Sequence, residues 1–256
     1  MTGRSPKGYR KVRKSVRRKL LRHMQVMGME QQAVEYCSAM MSSPERRRQY
    51  DRLTAVTISR FFRDRFLWEC LEREILPELL ARKGETVRIW SAGCAGGEEP
   101  YSVSILIREA AEHMTAPSSC EILGTDIMPE CLDRARRGVY NTSSLKEVSK
   151  ERLERHFIHL GPDSFAIADV HRRAVRFLEH DFLEDPFPPA CHLILARNNM
   201  FTYFSQGHML RFAESIDSAL LPGGFVVLGS HEKFPEGCAS FAPLPGRRMI
   251  WVRSRP

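Results

Sequence analysis

The sequence has no cysteine pair. Its seven cysteines stand singly at 37, 70, 94, 120, 131, 191 and 238. An odd count without Cys-x-x-Cys spacing argues against a disulfide framework and against a structural zinc site, so reduced thiols, no metal and a cytoplasmic location are expected. No apolar run approaches the length of a membrane span, so membrane insertion is not expected. The first residues are basic but lack the apolar stretch of a signal peptide. Internal repeats and low-complexity tracts are absent. There is no Asn/Asp-Pro-Pro-Tyr/Phe segment of the kind used on flipped bases. The basic front end is not interleaved with aromatic residues, so nucleic acid is not the expected partner.

What is present is a chain of 256 residues, 43% of them apolar, enough to bury a full core. The charge is uneven. Residues 1–65 carry 17 Lys/Arg against 5 Asp/Glu, and residues 66–256 carry 22 against 26. A basic front end joined to a mildly acidic body suits an acidic partner, although a solvated helix face would have the same composition.

The front end reads as helical. Val12, Val16, Leu20, Leu21 and Met24 recur every three to four residues until Gly28. A second helix is expected from about Gln31 to Met41, with Val34, Cys37, Met40 and Met41 on one face. In "SSPERRRQY", Ser43 is placed to cap a third helix, with Pro44 at its first position. Residues 1–52 therefore form an expected helical domain. Residues 53–85 connect it onward, with Phe66, Leu67, Cys70, Leu71 and Ile75 on an amphipathic helix.

From residue 86 to 256 strands and helices alternate. The strand segments are "TVRIWSA", "CEILGTD", "AVRFLEHD", "HLILA", "FVVLGS" and "RMIWVR". Alternation of this kind predicts an α/β fold with a mostly parallel sheet. It is interrupted at about 140–175 by a short helix, "SKERLERHF", and two weak strands, read as a small inserted β subdomain.

The stretch "SAGCAGGEEPYS", residues 91–102, leaves the carboxyl end of the first strand, where open α/β sheets bind ligands. Gly93, Gly96 and Gly97 let the backbone approach a ligand closely. A dinucleotide site aims a helix N-terminus at phosphate. Here Glu98 and Glu99 stand at that terminus and would repel phosphate, which favours a cationic ligand such as S-adenosylmethionine. Glu99 is expected merely to complement the helix dipole. Asp126 closes the second strand, where a carboxylate can take both ribose hydroxyls. Asp181 ends the next strand and could accept from an adenine amino group, with Phe182 packing on the ring.

These residues resemble the CheR family of chemotaxis-receptor glutamate methyltransferases, over nearly the whole chain. "WSAGCAGGEEPYS", "TDIMPECLDRARRGVY" and "FFRD" carry the likeness. The resemblance implies a Rossmann-like class I methyltransferase sheet, an all-helical N-terminal domain and an inserted β subdomain. It implies that Glu98, Asp126 and Ile127 hold S-adenosylmethionine, with Gly93 at the loop and Asp181–Phe182 at the adenine. Arg63 matches the family's active-site arginine, with an ion pair to Asp64 as its ordinary alternative. Ser59 stands where a threonine is usual, and Thr57 near an asparagine. "ARNNMFTYF" departs from the family's "CRNxxIYF" by one extra residue. Either Asn198 or Asn199 therefore matches its asparagine. An ungapped match puts Thr202 at the family's tyrosine, and Tyr203 is favoured as the active-site phenol. "GSHE", residues 229–232, replaces "GHSE".

A glutamate carboxylate is already ionised at neutral pH and needs no general base, so His208 and His231 are read as structural. The expected activity is methyl-ester formation on glutamates of a chemoreceptor-like, acidic helical protein. That protein would be docked on Arg10, Lys11, Arg13, Lys14, Arg17, Arg18 and Lys19 of the first helix, and the enzyme is expected to be a monomer. The alternatives are a methyltransferase of the same fold acting on another protein or small-molecule carboxylate, and a cofactor-binding regulator without turnover.

Overall fold

The computed structural model describes residues 13–57, 59–82 and 84–254. Arg10, Lys11 and Val12 of the expected first helix lie outside them. Three helices open the described chain: α1 (Arg13–Val26), α2 (Ala33–Met40) and α3 (Pro44–Thr54). They enclose a small core of Met24, Tyr36 and Met40. His23 sits between Tyr36 Oη and Gln49 Nε2, 2.9 Å from each. Ser43 caps α3 by accepting from the Arg46 amide at 3.3 Å. The apolar face of α2 differs from the expected one. Val34 is 76% exposed, and Tyr36 takes the inward position beside Met40.

The next helix is continuous but irregular: α4 (Arg65–Cys70), a π-turn (Leu71–Ile75) and α5 (Leu76–Leu80). Pro77 lacks an amide to donate to the carbonyl four residues back, and the widened turn lies just before it. Leu67, Trp68, Leu71, Ile75 and Leu76 face the core. Phe66 does not. It is 60% exposed, and the Arg247 guanidinium lies 5.5 Å from its ring centroid.

The sheet is built from β1 (Val87–Ala92), β2 (Cys120–Asp126), β6 (Val175–Glu179), β7 (Cys191–Ala196), β8 (Leu220–Leu228), β9 (Phe241–Leu244) and β10 (Arg247–Arg253). Their order is β6-β2-β1-β7-β8-β10-β9. The first five strands are parallel, and β10 runs antiparallel to both β8 and β9. Between the strands lie α6 (Glu98–Ala111), α7 (Pro129–Arg137), α9 (Asp169–Ala174), α10 (Met200–Tyr203) and α11 (Gln206–Ala219). This is the mostly parallel α/β sheet that the alternation predicts, in the Rossmann-like form that the resemblance implies.

Alternate residues divide the strands between two cores. Ile89, Leu193, Leu195, Phe225 and Val227 pack on one face with α4–α6. Trp90, Ile194, Ala196, Val226 and Leu228 pack on the other with α11. A sheet buried on both faces needs near-continuous apolar strands, and "HLILA" and "FVVL" supply them. Strand β8 begins before the expected "FVVLGS" and takes in Pro222–Gly224, as an irregularity between the Cys191–Leu220 and Leu193–Phe225 pairs.

A three-stranded sheet, β3-β5-β4, is inserted after α7. It comprises β3 (Val139–Tyr140), β4 (Phe157–Gly161) and β5 (Ser164–Ile167), with α8 (Lys150–His156) between β3 and β4. The sequence indicated two of these strands; the two-residue β3 is too short to leave a pattern. The insert is fastened to α6 by buried polar contacts. Ser104 Oγ lies 2.9 Å from His171 Nδ1, and His171 Nε2 lies 3.0 Å from His156 Nδ1. His156 Nε2 lies 3.1 Å from Glu109, which also accepts from Arg152.

Candidate active site

The strand order reverses at β1, which lies between β2 and β7. Crevices form at such a point, above the carboxyl ends of the strands. The loop after β1 turns there at Gly93, whose φ is +73°. The amides of Gly93 and Cys94 both donate to the Thr125 carbonyl at 2.8 Å, so the loop folds over the end of β2. A Cβ on Gly93 would sit 2.4 Å from Asn199 Nδ2 and 3.5 Å from Phe182 Cζ. Glycine is needed here because Asn199 and Phe182 close on the backbone.

Asp126 holds the loop from below. Its Oδ2 accepts from the Ala95 amide at 2.8 Å and its Oδ1 from the Met128 amide at 2.9 Å. Burial pushes its pKa up, against the amides of Met128, Ala95 and Ile127. Each oxygen keeps a lone pair for a further donor. Ile127 follows directly and is half-buried.

Glu98 begins α6 and is 0% exposed. Its Oε1 is met by Arg134 Nη2 and by Ser144 Oγ at 3.4 Å, whereas its Oε2 is buried without a hydrogen-bond partner. Burial raises its pKa, opposed by Arg134 and, more weakly, by Ser144 and the nearby Ser59. An orphaned carboxylate oxygen is a poor neighbour for phosphate and a ready acceptor for an ammonium. The donor set therefore fits S-adenosylmethionine. Thr57 is half-buried, two residues before Ser59.

The "FFRD" segment is an unusual turn. Phe62 and Asp64 both adopt left-handed backbone, with φ of 52° and 70°. Such residues persist only where surroundings over-determine them. Here the Phe62 amide donates to Ser102 Oγ of α6 at 3.1 Å, and Trp68 Nε1 donates to the Arg63 carbonyl at 2.7 Å. Arg197 adds two bonds, to the Arg63 carbonyl at 3.0 Å and to Asp64 Oδ2 at 2.5 Å. Asp64 thus pairs with Arg197. The Arg63 guanidinium is close enough to lower the pKa of Glu99.

Glu99 does more than complement a helix dipole. It accepts from Ser91 Oγ at 2.8 Å and from Arg197 Nη1 at 2.9 Å. Buried Arg197 joins Glu99 and the half-buried Asp64 in a network that sequence reading missed. Its one visible sign was a charged residue directly after the mostly apolar β7.

The two segments that depart from the family pattern meet. Glu232 of "GSHE" is buried and accepts from the Asn198 amide at 2.7 Å, the Gly229 amide at 2.6 Å and Thr202 Oγ1 at 2.5 Å. Burial raises its pKa against these donors. Asn198 turns the chain with a φ of 56°. Asn199 points the other way, donating to the Ala92 carbonyl while its Oδ1 accepts from the Met200 amide at 2.5 Å. Asn199, not Asn198, thus lies on the glycine loop. Tyr203 is half-buried against the core shared by Phe182 and Phe204. Asp181 Oδ1 accepts from the Leu183 amide at 2.9 Å.

Residues 57–250 match the family model of the CheR methyltransferase S-adenosylmethionine-binding domain. A chemotaxis protein methyltransferase of Listeria innocua is 34% identical over 181 residues, 71% of this chain and 67% of that protein. Chemotaxis protein methyltransferase 1 of Pseudomonas aeruginosa is 33% identical over 176 residues, 67% of this chain and 64% of that protein. The chain thus spans about two thirds of the length of these relatives. Together with a strand order that brings the glycine loop, Glu98 and Asp126 to the carboxyl ends of the neighbouring strands β1 and β2, these matches identify the chain as a member of the CheR methyltransferase family, with S-adenosylmethionine as its cofactor.

Proposed function

We propose that the protein forms methyl esters on glutamate side chains of a chemoreceptor-like protein in the cytoplasm. The observation that carries this reading is the fixed "FFRD" turn. It is bolted to α6 and to Arg197 beside the cofactor loop, and it bears Arg63. A cation held there suits a carboxylate substrate.

Glu98, Asp126, Ile127, Asp181, Phe182 and Asn199 would hold the cofactor, with Gly93 beneath it and Thr57, Ser59, Arg63 and Asn198 at the rim. Bound there, S-adenosylmethionine supplies an electrophilic methyl group on a sulfonium. A glutamate carboxylate held beside it would receive that methyl group. No proton has to move, because a carboxylate with a reference pKa near 4.3 is already ionised. Opposite charges disappear in this step, so a dry site favours it. Arg63 orients the carboxylate and Tyr203 offers it a hydroxyl; orientation and water exclusion are the protein's main work.

The basic helix supports a protein substrate. Lys14, Arg17, Arg18 and Arg22 line a groove with Leu21, Gln25 and Glu30 on the outer face of α1. An acidic helix complements such a face. No helix among the described residues is long and apolar enough to cross a membrane, and all seven cysteines are unpaired, in keeping with a reducing compartment. Incubation with methyl-labelled cofactor and receptor-bearing lysate, followed by peptide identification of the labelled band, tests the reading. Label on glutamate supports it, and label on another residue type contradicts it.

A further inference from the structure

Beyond α4, α6 and Arg197, the turn that carries Arg63 is gripped by the inserted subdomain. The Phe61 amide donates to the Ser144 carbonyl at 3.0 Å. The Phe61 ring is fully buried and stands edge-on to Tyr140 of β3 and Phe157 of β4, at 4.8 and 5.1 Å between centroids. Arg60 pairs with Glu147 at 3.4 Å. Side chains and backbone from several parts of the insert thus converge on the residues just before Arg63.

Arg152 of α8 reaches the residue next to Arg63. Its guanidinium carbon lies 4.8 Å from the Phe62 ring centroid. The guanidinium cannot turn freely. Nε donates to Glu109 Oε1 at 3.1 Å, and Nη2 donates to Glu109 Oε2 and to Glu72 Oε1 at 2.7 Å each. The same Phe62 ring meets Trp68 edge-on at 5.5 Å. A flat cation pinned by two acids makes a rigid stop for an aromatic ring. Phe62 needs one, because its φ of 52° is a conformation that persists only under such confinement.

Arg63 stands between Phe62 and Asp64, so holding the Phe62 ring fixes where the Arg63 side chain begins. Orientation of a reacting group is sensitive to such placement, since a displacement of about 1 Å can cost about a hundredfold in rate. We propose that the inserted subdomain sets the position of Arg63, with Arg152 as the positioning residue that acts through the Phe62 ring. This rests on the reading of Arg63 as the cation that orients the substrate carboxylate.

The test is a double-mutant cycle on the full chain. Phe62→Leu keeps an apolar side chain but removes the ring face. Arg152→Lys keeps a charge beside Glu109 and Glu72 but has no flat fork to lay on the ring. Methyl transfer is measured with methyl-tritiated S-adenosylmethionine and a purified cytoplasmic fragment of a chemoreceptor as acceptor. Each single variant is expected to lower kcat about tenfold, and the double variant to lose no more than either, because both break one contact. S-adenosylhomocysteine affinity is expected to stay at the wild-type value. Ser104→Ala loosens the insert from α6 at His171 without touching the turn, and is expected to keep the wild-type kcat. Amide hydrogen exchange gives a readout that needs no acceptor: residues 61–64 are expected to exchange about tenfold faster in both single variants. A loss of about a hundredfold in the double variant overturns the proposal, since the two residues would then act independently. An equal loss in Ser104→Ala overturns it as well, because any loosening of the insert would suffice. Unchanged exchange at residues 61–64 overturns it too. A wild type that leaves the fragment unlabelled contradicts the methyl-ester reading instead, and the exchange result then decides the positioning alone.

Discussion

Arg197 and Glu99 pair at 2.9 Å across a sequence separation of 98 residues. Through this pair the end of β7 holds the first turn of α6, and the same guanidinium holds Asp64 and the Arg63 carbonyl. Burial alone raises the pKa of Glu99, and Arg197 opposes it. Arg197→Met strands two carboxylates. It is expected to cost about 3 kcal/mol or more in urea unfolding, the scale for removing one partner of a buried pair. A loss below about 1 kcal/mol would mean that water replaces the guanidinium.

Asp126 has two tasks, loop and ligand. Asp126→Ala removes the acceptor for the Ala95 amide as well as any bond to a ribose. Cofactor affinity is expected to fall by about 3 kcal/mol, the upper end for charge-assisted bonds. Calorimetry showing unchanged affinity removes Asp126 from the site.

His171 gives the fold a pH dependence. Burial pushes it down to about 4 from 6.5, helped by His156 and Arg108 and opposed by Glu109. His156 is lowered as well. The unfolded chain binds this proton near pH 6.5 and the folded chain only near pH 4, so unfolding takes up a proton between them. Stability from this group is complete above pH 6.5 and is lost as the pH falls toward 4, by up to about 3 kcal/mol. Urea midpoints of His171→Asn should show a flatter pH profile than wild type in that window. Parallel profiles would show that His171 accepts its proton in the folded state.

The basic face of α1 is a separate matter. Replacing Lys14, Arg17, Arg18 and Arg22 with alanine should raise the apparent Michaelis constant for a protein substrate and leave cofactor binding alone. The effect should shrink with salt, since the screening length is about 10 Å at 0.1 M. Unaltered kinetics at low salt would make this face merely solvated.

The sheet was legible because its signals are local. Apolar runs such as "HLILA" bury both faces, and "CEILGTD" coincides with β2. The β9–β10 hairpin was half seen, since "FAPL" is four residues with a proline and pairs only through β10. The glycine loop and its two acids are contiguous or strand-terminal, so spacing exposed them. Arg134, Arg197 and Glu232 were invisible because their side-chain partners Glu98, Glu99 and Thr202 lie 36, 98 and 30 residues away, and no sequence period links such pairs.

The central claim concerns Arg63 and the ester. Arg63→Ala is expected to bind S-adenosylhomocysteine with near wild-type affinity and to lose methyl transfer. The most direct measurement is alkaline release of volatile methanol from protein substrate labelled with methyl-tritiated cofactor, comparing wild type with Arg63→Ala. The account predicts base-labile label from the wild type and almost none from the variant. Alkali-stable label, or equal release from both, would contradict it.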